Sequence, residues 1–196
     1  MALTDLPPLI LANYEVYEWR HATAILKNDF PNELNDIVGV LTAFKLYKSH
    51  IIAAGGGKSR ISAALDGALT GLGWQEKGFS TSIVVDTIQY NTPTHKIDCY
   101  KNRIGLDIEW NNKTEFYDRD LNNFRLLHER NALSVGVIVT RATELQILFA
   151  SLGKGSSYGA STTHMNKLKP RIDGGSGGGC PILIFGIKSA LYDPTL

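Results

Sequence analysis

With only 2 cysteines in 196 residues, this chain cannot rest on a disulfide scaffold, and Cys99 and Cys180 lack metal-type spacing. No apolar run approaches the roughly 18 residues that a transmembrane helix needs. The opening stretch MALTDLPPLILANYEVYEWR carries an acid and prolines where a secretory signal has a basic segment. A reduced cytoplasmic protein is the expectation, with both thiols as core filler and no membrane partner. Excess charge of either sign is also missing. The formal net charge is +1, so a polyanion would have to be met by a local basic stretch. Repeats and inter-domain linkers are absent. The composition, 43% hydrophobic and 20% charged, suits a single domain over residues 1–196 with a substantial core.

Periodicity orders the chain. Pro31 opens a helical pattern with Leu34, Ile37, Val38, Leu41 and Phe44 on one side, expected to run over 32–52. SRISAALDGALTGLGW reads as a small-residue helix stopped by Gly71 and Gly73, and STSIVVDTIQY as a strand. Two strands, 95–100 and 103–109, follow around the basic turn KNR. FYDRDLNNFRLLHERN is helical, with Leu121, Phe124 and Leu127 inward, and its span is taken as 117–131. ALSVGVIVT has the continuous apolar character of a buried parallel strand. A short helix around 142–150 comes next, and PILIFGIK is the last strand. This order predicts an α/β domain, a mixed β-sheet flanked by helices. Between them, 151–180 shows almost no apolar periodicity and reads as a long flexible loop, a candidate for function. AAGGGKSR, at 53–60, lacks the spacing of a phosphate loop and follows a helix, so nucleotide binding is not expected.

KIDCYKNRIGLDIEWNN, residues 96–112, is the unusual stretch. Asp107 and Glu109 are two apart on a strand and so share a face. A hairpin through KNR brings Asp98 beside Asp107. Three acids among apolar neighbours repel one another unless a divalent cation compensates, and hard oxygen ligands suit Mg²⁺. By spacing alone, a solvated hairpin with an acidic face is an equal reading.

The same residues carry a resemblance. Asp98, a gap of eight, then Asp107-Ile108-Glu109 is similar to the PD-(D/E)xK signature of the BglII and BstYI type II restriction endonucleases, with BamHI as a relative. HATAIL at 21–26, GWQEK at 73–77, SVGVIVT, GSSY and PILIFGIK fall in the expected order. The resemblance implies a restriction-endonuclease-like fold and Mg²⁺-dependent cutting of double-stranded DNA by a homodimer, with 32–52 and 117–131 as dimer surfaces. The site would be a short palindrome, with a GATC centre the first to try. Asp98, Asp107 and the Ile108 carbonyl would hold the metal, Glu109 would position or deprotonate water, and Glu76 would be an additional acid. Asn111, Asn112 and Lys113 after the catalytic strand, and Lys154, Ser156, Ser157 and Tyr158 in the loop, would meet DNA; Asn pairs bidentately with adenine. Lys58 and Arg60 are candidates for phosphate contacts. Two departures stand out: Asp107 occupies a position where close relatives have Glu, and Glu109 follows BamHI rather than the Gln of BglII. The rival readings are a DNA-binding module with a decayed nuclease site and a repair nuclease of the same fold.

Overall fold

In the computed structural model, which describes residues 2–53, 57–91 and 94–195, helix α1 (Pro8–Asn13) leads into strand β1 (Tyr14–Trp19) and helices α2 (Ala22–Asp29) and α3 (Pro31–Ala43). Strand β2 (Leu46–Tyr47) and helix α4 (Lys48–Ile52) precede helix α5 (Arg60–Thr70) and strand β3 (Gln75–Lys77). The hairpin β4 (Ser82–Val85) and β5 (Ile88–Asn91) comes before β6 (Ile97–Lys101) and β7 (Ile104–Ile108). Helix α6 (Glu115–Glu129), strand β8 (Val135–Arg141), helices α7 (Leu145–Ser151) and α8 (Met165–Asp173), and strands β9 (Ile182–Ile187) and β10 (Tyr192–Asp193) complete the chain.

Continuous apolar sequence decides the centre of the main sheet. Every residue of β7, β8 and β9 is buried, as helices on both faces of a parallel unit require. The order is β1-β9-β8-β7-β6-β3. The pairs β7–β8 and β8–β9 are parallel, while β1, β6 and β3 pair antiparallel. One face, with Ile104, Leu106, Ile108, Val135, Val137 and Val139, packs with Ile37 and Leu41 of α3 and Ile61, Leu65 and Leu69 of α5. The other, with Ile138, Ile182 and Ile184, receives Leu121, Phe124 and Leu127 of α6 and Met165, Leu168 and Ile172 of α8. Glycine sets the distance on this second face. Gly105 and Gly136 are register partners, and a Cβ on Gly136 would stand 2.4 Å from the Phe124 ring. That close approach sets how near α6 lies to the sheet.

Four expectations change. The helix expected over 32–52 ends at Ala43, where Phe44 becomes extended and buries its ring, and α4 is a separate turn of helix. STSIVVDTIQY folds back on itself at Asp86, whose φ is 56°, into the exposed hairpin β4–β5. KNR narrows to a two-residue turn with Asn102 and Arg103 both at positive φ, the pairing that primed hairpin turns demand. The span 151–180 contains α8, whose Met165, Leu168 and Ile172 form a one-sided apolar stripe. Three apolar residues among charged neighbours, flanked by Gly and Ser, left that stripe illegible. Residues 54–56 of AAGGGKSR lie outside the described residues, but Ser59 caps α5 by accepting from the Ser62 amide at 2.9 Å. Among the described residues no helix is long and apolar enough to cross a membrane, and Cys99 and Cys180 are buried and unpaired.

Gly136→Ala should therefore force Phe124 and α6 outward. Overpacking of this kind costs about 1–3 kcal/mol, a fall in Tm of roughly 2–12 °C for a chain of this size. Thermal melting checks it, and an unchanged Tm would mean that α6 has room to spare.

Candidate active site

The ladder between β6 and β7 stops at Cys99↔Leu106. One residue further on, side chains replace the backbone pairing. The Asp98 amide donates to Asp107 Oδ1 at 2.9 Å, and the Ile108 amide donates to Asp98 Oδ2 at 3.0 Å. Each carboxylate thus spends one oxygen on the partner strand, which fixes both side chains. Asp107 Oδ2 is buried without a hydrogen-bond partner. Asp107 is only 3% exposed, and β8 screens it from the other side through the Ile138 register pair.

Glu109 lies two residues on and is 2% exposed. Its amide joins β8 through the Val139 carbonyl at 2.9 Å. Asn112 Nδ2 donates to Oε2 at 2.7 Å, and Arg119 Nη2 reaches Oε1 at 3.4 Å. Helix α6 adds an acid that the sequence reading passed over. Asp120, 1% exposed, accepts from Arg119 Nε and Nη2 at 2.9 and 2.8 Å. Its carboxyl is within hydrogen-bonding reach of Glu109; with neither acid protonated, Asp120 Oδ2 has no donor. The clue lay in spacing: Asp120 is three residues after Tyr117 and four before Phe124, on the buried stripe of its own helix.

Burial raises all four acids. Asp98 is pushed up by desolvation, with the Ile108 amide and Lys58 pulling the other way. Asp107 lies well above the ordinary carboxylate range, first through burial and then through the charges of Asp120 and Asp98. Glu109 is raised to about 9, by burial and then by Asp120. Asp120 is raised by burial against the pull of Glu109 and Arg119.

The acids have different partners within one cluster. Asp98 and Asp107 hold each other, while Glu109 turns to Asn112, Arg119 and Asp120. Among the described residues no three acidic, histidine or cysteine side chains close into a metal cage. Magnesium needs none, because it keeps several waters and takes one or two carboxylates. The unpartnered Asp107 Oδ2, the neighbouring Asp98 carboxylate and the Ile108 carbonyl are a donor set of that kind. Glu76 stands apart on the edge strand, ion-paired to Lys96 at 2.7 Å with both side chains exposed.

The two segments expected to meet DNA are brought together beside these acids. Thr163 donates its amide to the Asn112 carbonyl at 2.9 Å and accepts from the Asn112 amide at 3.2 Å, and Lys113 bridges Thr162. Buried Arg141 clamps the second segment through the carbonyls of Tyr158 and Gly159 and the Thr162 hydroxyl at 3.2, 3.4 and 3.1 Å. Lys113, Ser156 and Ser157 are exposed and Lys154 is half-buried. Asn111 adopts φ 59° and its Oδ1 is buried. One N–H of the Asn112 amide is spent on Glu109. One expectation is corrected. The Tyr158 ring is buried, stacked on Phe149 at 4.1 Å with Trp110 at its edge, because this aromatic slot seals the core behind the turn.

Groups with raised pKa values bind protons more tightly folded than unfolded, so they lend stability at low pH and lose it as pH climbs through the raised value. For Glu109 that window runs from 4.5 to about 9. In EDTA, Tm should fall across this window, and Asp120→Asn should make the fall shallower by removing the neighbouring charge. A Tm that rises over the same window would contradict a buried, mutually repelling cluster.

A search of curated proteins gives no match. The family model for restriction endonuclease BglII/BglIII matches residues 14–187, from the first residue of β1 to the last of β9. It therefore spans the whole sheet, the carboxylate hairpin and α6. The chain belongs to the BglII/BglIII restriction endonuclease family and is a type II deoxyribonuclease.

Proposed function

We propose that this protein hydrolyses phosphodiester bonds of double-stranded DNA at a short palindrome, with a GATC centre as the first candidate, leaving 5′-phosphate and 3′-hydroxyl ends. The observation that carries the reading is the exchange of bonds between Asp98 and the Asp107–Ile108 segment, with Asp107 Oδ2 left buried and unpartnered. Asp98, Asp107 and the Ile108 carbonyl would hold Mg²⁺. When bound there, the ion supplies Lewis acidity, which neutralises phosphate charge and makes water a stronger nucleophile. Glu109, its Oε2 pinned by Asn112, offers Oε1 to orient the attacking water, and accepts its proton once the site's cations hold Glu109 ionised against its burial. Water adds to phosphorus as the bond to the 3′ oxygen breaks, and the departing 3′ oxygen takes its proton from solvent water.

Lys113 and Lys154 suit phosphate contacts, and Ser156, Ser157 and Asn111 suit base edges, on segments fastened directly to the catalytic strand. A second copy related by a two-fold axis would read the other half-site and cut the other strand. Both thiols being buried and unpaired fits work in the reducing cytoplasm.

Phage DNA with Mg²⁺ should give discrete bands. A smear would indicate a nuclease without site preference, and a gel shift without cutting would indicate a decayed site. Asp98→Ala should cut at background rate yet still shift DNA in Ca²⁺; loss of both together would make Asp98 a structural residue.

A further inference from the structure

Arg119 is the cation that touches two of the buried acids. It bonds Asp120 through Nε and Nη2 and Glu109 through Nη2, with the Phe116 ring centroid 4.3 Å from its guanidinium carbon. Nη1 has no protein partner among the described residues. The side chain keeps 35% of its surface exposed and lines a polar cavity of about 330 Å³ with Thr94, His95, Asn122 and Asn123.

Charge balance argues for more than a structural role. Asp98, Asp107, Glu109 and Asp120 crowd this end of the hairpin, and the cations that reach them are Arg119 and Lys58. Lys58 is already paired with Asp66. A phosphodiester adds a negative charge, and more gathers on its non-bridging oxygens as water adds to phosphorus. A guanidinium with free N–H groups meets that geometry better than an ammonium does.

We propose that Arg119 is a catalytic residue whose free N–H groups hold a non-bridging oxygen of the phosphate under attack. Asp120 is its positioning partner and keeps the guanidinium turned to the cavity rather than collapsed onto Glu109. This rests on the nuclease reading above.

The test compares wild type, Arg119→Lys, Arg119→Met and the double variant Arg119→Met/Asp120→Asn by thermal melting, DNA binding in Ca²⁺ and single-turnover cutting in Mg²⁺. Arg119→Met should slow cutting about 10²–10³-fold, as loss of one preorganised donor does elsewhere, with Ca²⁺ binding little changed and Arg119→Lys recovering part of the rate. The double variant removes the acid that Arg119 neutralises, so it should regain Tm without regaining cutting. Wild-type cutting by the double variant would overturn the proposal and leave Arg119 as a counter-ion of Asp120. Should Arg119→Met fail to fold, the double and lysine variants still decide it. A wild type that does not cut overturns the nuclease reading instead.

Discussion

Two backbone amides at the open end of a hairpin are satisfied by carboxylates rather than by the opposite strand, and the candidate active site is arranged around that exchange. A buried amide must find an acceptor. By using Asp98 and Asp107, the chain obtains fixed side-chain orientations without a dedicated support layer. Rotation of either acid would orphan an amide on the other strand, so the hydrogen-bonding requirement of the sheet becomes the preorganisation of the site.

The arrangement carries electrostatic strain. Four carboxyl groups with raised pKa values sit beside one another, and Arg119 offsets part of their charge. A chain selected for stability alone would replace such a cluster with apolar residues. Such a cluster against the apolar face of α6 costs local stability, the pattern expected where a site serves chemistry. The same logic applies to Arg141, which is buried with Nε and Nη1 unpartnered. Its burial lowers its pKa to about 10, yet it remains the clamp that ties the turn at 158–162 to the end of β8.

The clamp and the hairpin meet at Glu109. Thr163 Oγ1 donates to the Glu109 carbonyl at 3.3 Å, Asn112 grips the Glu109 carboxylate, and Lys113 bridges the neighbouring Thr162. A shift of the turn at 158–163 must therefore move the residues that hold Glu109. That is a contiguous physical route from the segments proposed to contact DNA to the carboxylate proposed to hold water.

The sequence alone determined whatever follows from local periodicity: the buried strands β7, β8 and β9, the inward Leu121, Phe124 and Leu127, and the shared face of Asp107 and Glu109. A strand or helix fixes its own faces, so alternation and helical spacing transmit that information without knowledge of the fold. That Asp98 meets Asp107 was legible as well, since a hairpin folded through KNR sets the two strands side by side. Tertiary structure alone decided that α6 presses close enough, with Phe124 over Gly136, for Asp120 and Arg119 to reach Glu109. It also decided that Tyr158 fills an aromatic slot and that Asn112 serves Glu109. Those outcomes depend on distances between elements far apart in the chain, and such distances are set by packing volumes that no single segment encodes.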